Sequence, residues 1–428
     1  MFSSVPVCKN GSQSNSCYRI SKFYNTLKKS LRYALRISAG LFSLFVLLYL
    51  LANIIIALKK ESLNQMVIKQ INKQVKGEVL IGDLAPDYFR TFPNISVVLS
   101  DVTIRDSLWS AHKHDFLNAG TIKVRIQLLS LVKGKPKIGK VIVENCSIHL
   151  YTDECGYCNL NRTEHVSFNK GESNIPEFLF KNSRIIIQNE NLNSLHDIEI
   201  RYLNCDPHKK DSAIVLDISM KTFVHSIGFN LAKGSYLKEK RMNGDFALNF
   251  YSGKRMDLPN VMLEIEDHPY QFNGSIYFYT EPMSYDLRIQ SDKLIYRNGV
   301  SLLTQALQSK LDSFDVIEPI DVKASVAGQM AFRVVPKVNV QFKVNDSQLH
   351  STFGQFDHTT FSGSFSNDYE SLNPPGDENS KLVFKDIYTE WSGIQLTSSL
   401  MEINNLIHPF LICDLHSSFE LKAINDLT

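Results

Sequence analysis

From Gly77 almost to the end of the chain, apolar and polar residues alternate one by one. Ile122, Val124, Ile126 and Leu128 fall on one side, with Lys123, Arg125 and Gln127 on the other. Ile214, Leu216, Ile218 and Met220 repeat the pattern, followed by Phe246, Leu248 and Phe250 and by Val261, Leu263 and Ile265. Phe272, Ile276 and Phe278 continue it, then Tyr285, Leu287 and Ile289, then Val338, Val340, Phe342 and Val344. A last strand is predicted over 411–421, with Leu411, Cys413, Leu415 and Phe419 opposite Asp414, His416 and Glu420. A period of two with one polar side predicts antiparallel strands in a sheet covered on one face. Lys133-Gly-Lys-Pro136, Asn243-Gly244, Asn273-Gly274 and Pro374-Pro-Gly-Asp377 supply turn chemistry between the runs.

Three stretches depart from that period. Ser38 to Leu58 contains no charged residue, and as a helix it is long enough for a hydrocarbon core of roughly 30 Å. Its length, and the lack of an A-x-A-like site after it, predict an uncleaved single-pass anchor rather than a signal peptide. Before it, Phe23, Leu27, Leu31 and Leu35 recur at helical spacing among Lys and Arg residues, with no Asp or Glu anywhere in 1–37. That basic lead predicts a cytoplasmic N-terminus, with the bulk of the chain on the far side. After the anchor, Leu63, Met66, Val67 and Ile71 predict a juxtamembrane helix over 59–76 that stops at Gly77. Farther on, Leu302, Leu303, Ala306, Leu307 and Leu311 predict one amphipathic helix over 301–314, with Ser301 as its N-cap.

Composition narrows the function classes. A net charge of +2 with 21% charged residues gives no case for nucleic acid. The 26 Phe and 17 Tyr against two Trp fit strands. Seven cysteines are too few for a disulfide-built scaffold of this length.

Candidate chemistry is sparse. Cys155-Gly-Tyr-Cys158 has thiol-oxidoreductase spacing, but it follows a strand and lacks a βαβ context. With His149 and His165 it would make a zinc site of no standard spacing. The simplest reading is a turn whose cysteines are incidental or form a local disulfide. His112-Lys-His114-Asp115 reads as a polar loop, and Ser275-Ile-Tyr-Phe-Tyr279 as sheet packing rather than a stacking platform. No G-x-S-x-G, H-E-x-x-H, Walker A or G-x-G-x-x-G motif occurs, so a non-enzymatic protein without cofactor or metal is expected.

So much sheet with so little helix must solve its apolar face in one of two ways. Two sheets can close into a sandwich, the commoner architecture, or one sheet can curl into a groove that holds something apolar.

Several segments resemble the AsmA-like family. Gly77-Glu-Val-Leu-Ile-Gly-Asp-Leu84 and Phe92-Pro-Asn-Ile-Ser-Val-Val-Leu-Ser-Asp-Val-Thr-Ile-Arg-Asp106 look like its opening, and Ala119 to Gly134 is similar to its next strand and basic turn. Asp153-Glu-Cys-Gly156-Tyr-Cys-Asn159 is similar to the family's D-x-x-G-x-x-N. Phe361-Ser-Gly-Ser-Phe-Ser-Asn367 and Met401 to Pro409 resemble segments of longer members of Bacteroidetes type.

The resemblance implies a mainly β protein related to chorein-like bridge proteins. In it, a single transmembrane helix and a juxtamembrane helix would precede a long antiparallel, groove-like sheet. It implies an inner-membrane anchor, a periplasmic body, phospholipid or another membrane lipid as cargo, and possible partners in outer-membrane assembly. The chain would then be a short or truncated member, divided into 77–160 as the N-terminal β module, 161–370 as the sheet body and 371–428 as further strands. The groove would be lined by Ile122, Val124, Ile126, Leu128, Ile214, Leu216, Ile218, Phe246, Leu248, Phe250, Phe272, Phe278, Leu287 and Phe342. A membrane-anchored adaptor with a closed, dry sandwich is the alternative.

Overall fold

The computed structural model describes residues 77–87, 95–126, 137–160, 175–331 and 334–418, with a few positions between 38 and 47. The chain divides into two compact units, Met1–Met66 and Val67–Thr428. In the first, Ser38, Gly40, Phe42, Ser43, Val46 and Leu47 are helical, and Phe42, Val46 and Leu47 are exposed. Among the described residues no helix is long and apolar enough to cross a membrane. The expected tail over 1–37, most of the span over 38–58 and the helix over 59–76 lie outside the described residues.

The second unit is one 19-stranded sheet, not two sheets packed face to face. β1 (Gly77–Asp87), β2 (Ile95–Asp106), β3 (Leu117–Ile126) and β4 (Ile138–Thr152) follow one another antiparallel. β5 (Glu177–Asn189) runs parallel to β4, so the expectation of a wholly antiparallel sheet fails at this pair. A parallel pair needs a connection of about a dozen residues or more, and residues 153–176 separate the two strands. The meander resumes through β6 (Ser194–Lys210), β7 (Ala213–Gly228), β8 (Lys240–Tyr251), β9 (Arg255–Ile265), β10 (His268–Tyr277) and β11 (Ser284–Leu294). β12 (Asp315–Val316) is a two-residue strip on β14 (Lys337–Ser351), while β13 (Ile320–Gln329) joins β11 to β14. β15 (Gly354–Ser366), β16 (Lys381–Trp391) and β17 (Ile394–Asn404) continue the ladder, and β18 (Phe410–Cys413) and β19 (His416–Ser418) both pair with β17. At about 4.8 Å per strand the sheet runs on the order of 80 Å along its contour.

A line of kinks crosses the first six strands. Pairing skips Gly82 opposite Asp101, Gly120 opposite Asn145, and Asn182 opposite Arg201. Asp101, Asn145 and Asn182 have φ near +50°, a conformation that Asn and Asp tolerate better than other L residues. The glycines make room for their neighbours: a Cβ on Gly82 would lie 3.0 Å from the Asp101 Cβ. Each kink slips the alternation by one residue. Val97 and Leu99 therefore join Val102 and Ile104 in a single cluster with Leu84 and Ile122. Likewise Val141 and Val143 join Cys146 and Ile148 around Ala119. Burial pushes the Cys146 thiol up to about 11, which leaves it a packing group rather than a nucleophile. A second kink line passes through Asp346, His358 and Asp386, all at positive φ.

The largest buried cluster lies on the apolar face beneath the helical segment: Ile265, Tyr270, Leu294, Val316, Ile320 and Val344. The expected single helix over 301–314 is in fact two, α2 (Tyr296–Val300) and α3 (Gln305–Leu311), which follow the short α1 (Trp109–His112) in the chain. Ser301 is not an N-cap: it ends α2, donating its hydroxyl to the Asn298 carbonyl at 2.7 Å. The break has a cause. Leu302 packs into the cluster and its carbonyl accepts the Leu237 N–H at 2.9 Å, so that residue serves the tertiary core instead of a helix. The expected last strand is also divided, because the exposed Asp414 carboxylate turns back onto β17 to accept from Ser398, Ser399 and the Leu400 N–H. Phe419 onward lies outside the described residues.

Candidate functional site

Residues directly opposed on neighbouring strands share a face, so the register traces that face across the sheet. Leu99 opposes Ile122, which opposes Val143, then Phe180, Leu203 and Met220. One pair along, Val97 leads through Val124, Val141, Phe178, Cys205 and Ile218 to Phe246. Ile214 opposes Phe250, then Met256, Ile276 and Tyr285. From Val261 the line passes through Phe272, Ile289, Ala324, Val340, Phe365, Leu382 and Ile403 to Leu411. A strand-to-strand apolar row thus reaches from one end of the sheet to the other.

The sequence-predicted positions converge on it. Ile122, Val124, Ile214, Leu216, Ile218, Phe246, Leu248, Phe250, Phe272, Leu287 and Phe342 lie on this face by register. Phe278 joins them through its ring, 6.0 Å from that of Phe250. Ile126, the last residue of β3, opposes Ile95 of β2, and Leu128 lies outside the described residues. None of the twelve with described side chains is fully buried; all are half-exposed. Phe272 differs in its surroundings, because Tyr296 and Leu302 pack against the same buried cluster and roof that part of the face.

Sequence reasoning missed most of the β2, β4, β5 and β15–β17 contribution: Leu99, Val143, Phe178, Phe180, Phe361, Phe384 and Met401. The one-residue slip hides them from a strict period of two. The signal that finds them is an Asp, Asn or Gly standing where the alternation changes phase. Opposite them the other face is polar, with Lys123 bound to Glu144 at 2.7 Å and Lys140 to Glu177 at 2.6 Å.

The D-x-x-G-x-x-N segment builds a polar knot at the ends of β2, β4 and β5. Asp153 Oδ1 accepts the Tyr157 N–H at 2.8 Å, and Gly156 takes φ +86° to close the turn. Buried Asn159 accepts from the Tyr151 N–H at 2.9 Å and donates to the His149 carbonyl at 2.8 Å. The segment His112-Lys-His114-Asp115 is not the plain polar loop expected. His112 closes α1 with its side chain nearly buried, its Nε2 2.9 Å from Asp106 Oδ1. Its Nδ1 accepts the His114 N–H at 3.1 Å, which assigns the ring proton to Nε2. The His114 ring meets Tyr151 at 4.3 Å and His149 at 4.5 Å between centroids. Burial disfavours charge on Asp106, yet donation from the Tyr157 hydroxyl, His112 and the Leu108 N–H outweighs it and holds the carboxyl below its ordinary value. Burial, and then repulsion from His112 on His114 and from His114 on His149, lower both rings. Trp109 is sandwiched between Arg105 at 4.1 Å and Lys113 at 4.5 Å. The period of two cannot foresee this knot, because its partners come from two stretches, 105–114 and 149–159, that meet only through the fold.

Cys155 is exposed and Cys158 half-buried, both as free thiols, in a turn after β4 rather than at a helix N-terminus. Among the described residues no group of His, Cys, Asp or Glu is arranged to hold a metal ion. His165 lies outside them.

A sequence model of the AsmA family matches residues 27–253. No curated protein and no solved structure matches the chain.

Proposed function

The chain belongs to the AsmA family, and we propose that it binds membrane lipid along the apolar face of its sheet and carries or presents that lipid during outer-membrane assembly. The observation that supports this reading is the apolar face that runs from strand to strand, on which the twelve sequence-predicted positions with described side chains are only half-buried. A dry sandwich would shut such residues away from solvent, and soluble proteins rarely leave so large an apolar surface without an occupant. Acyl chains fit it: they need apolar contact along a line and no hydrogen-bond partners. The sheet's contour, on the order of 80 Å, is long relative to one lipid, so several molecules would lie along it.

In this proposal Ser38 to Leu58 anchors the protein in the inner membrane, with the N-terminus cytoplasmic and the sheet periplasmic. Its role is that of a carrier, without covalent chemistry. Photo-crosslinking residues at Leu216 and Leu248, with Asn249 on the polar face as control, test the reading in the full chain. Phospholipid adducts at Leu216 and Leu248 but not at Asn249 are expected. Equal labelling at all three positions, or none, would overturn the lipid face.

A further inference from the structure

One lip of the apolar face carries lysines without acidic partners. Lys209 opposes Ile214, so both project from the apolar face, and Ile214 in turn opposes Phe250. Lys210 closes the same hairpin but opposes Ala213, so by register it belongs to the other face. In the β8–β9 hairpin, the Lys254 carbonyl accepts the Phe278 N–H at 2.8 Å, which places that lysine beside the Phe250–Phe278 ring pair. All three lysines are exposed, and among the described residues none forms an ion pair.

Elsewhere along this edge two described lysines are paired. Lys337 binds Asp368 at 2.6 Å and Lys381 binds Glu402 at 2.9 Å. Two acids on these strands are engaged: Asp217 lies 3.3 Å from His208, and Asp257 lies 2.9 Å from Arg255. Asp211 and Glu281 remain at the hairpin tips.

We propose that this lip seats the anionic, phosphate-bearing headgroup of a lipid whose acyl chains lie over Ile214, Leu216, Leu248, Phe250 and Phe278. The inference rests on the lipid-binding reading above and adds a headgroup class to it. The chemistry is that of an amphipathic side chain at an apolar margin. The lysine stems cover apolar surface while their ammonium groups reach outward as point charges that suit phosphate.

The test uses the full chain in detergent, offered phosphatidylglycerol and phosphatidylcholine with identical acyl chains, with bound lipid quantified by mass spectrometry. The wild type should favour phosphatidylglycerol. Replacing Lys209 and Lys254 together by Ala should lower its occupancy about tenfold and leave phosphatidylcholine within about twofold. Leu248→Asp, with its strand content verified by circular dichroism, should lose both lipids. Unchanged phosphatidylglycerol occupancy in the lysine variant would overturn the headgroup seat and leave the apolar face standing. A wild type that takes neither lipid would overturn the lipid face itself. Inorganic phosphate alone binding as tightly as phosphatidylglycerol would make the site one for free phosphate and overturn the lipid. A variant that sediments less with phosphatidylglycerol vesicles, yet extracts as much lipid, would mark a membrane contact and overturn the seat.

Discussion

Phe342 lays its ring across Gly363: a Cβ on that glycine would fall 2.3 Å from Phe342 Cε2 and Cζ. The two residues oppose each other between β14 and β15, and Phe361 and Phe384 hold the same ring edge-on at 6.2 and 6.1 Å. Glycine here is a seat for an aromatic group that covers exposed backbone on the apolar face.

Gly363→Ala should therefore destabilise the sheet by about 1–3 kcal/mol, the usual range for overpacking. Phe342→Leu, a smaller and more adaptable side chain, should recover part of the loss in the double variant. Urea denaturation of both single variants and the pair gives the coupling. Strict additivity would show that the ring does not rest on the glycine.

Asn159 has one buried amide serving two backbone groups, the Tyr151 N–H and the His149 carbonyl. Asn159→Ala leaves both without a side-chain partner, and a loss of about 2–4 kcal/mol is expected, at 1–3 kcal/mol per orphaned group with partial rescue by water. Hydrogen exchange should localise the loosening to 149–159. A uniform change across the sheet would argue for global rather than local support.

The knot also fixes a pH dependence. His114 and His149 titrate below the ordinary histidine value when folded, first because they are buried and then through repulsion, from His112 on His114 and from His114 and His112 on His149. Glu190 and Asp197 oppose the shift, as does the Gln188 hydrogen bond to His149. The unfolded chain consequently binds more protons as pH falls through about 6.5, and stability complete above that value declines below it. Asp106 also titrates low, so its contribution is complete above the ordinary carboxylate value near 3.9 and is lost progressively as pH falls from there through its depressed folded value. Trp109 fluorescence in a Trp391→Phe background reports the knot directly. His149→Gln should flatten the midpoint shift between pH 7 and pH 5. An unchanged slope would mean that this ring does not titrate on folding.

The sheet itself was legible because its facing is written in the period of two. Leu216, Leu248 and Leu287 declare their side in the sequence, and the register agrees. The roof over Phe272 was not legible as such: the leucines around Leu302 satisfy a helical period, but the bond from Leu237, far away in sequence, decides where the helix breaks. The parallel β4–β5 pair was hidden for a similar reason, since alternation says which face a residue takes and nothing of strand direction. His112 and His114 looked like loop residues because Asp106, Tyr151 and Tyr157 reach them only through the fold.

The kink line carries the last prediction. Asn145 is exposed and makes its contribution through backbone shape, with φ +56°. Asn145→Gly should be tolerated within about 0.5 kcal/mol, since glycine enters that region freely. Asn145→Val should cost about 1–2 kcal/mol, because a β-branched residue resists positive φ. Deleting Asn145 asks a harder question. Removal of one residue reverses the facing of everything beyond it in β4, turning Cys146 and Ile148 away from the cluster around Ala119. The deletion should therefore destabilise far more than Asn145→Val, by the loss of that cluster, and should expose Cys146 to thiol reagents. A deletion variant as stable as Asn145→Val, with Cys146 still protected, would show that the apolar phase does not depend on the kink.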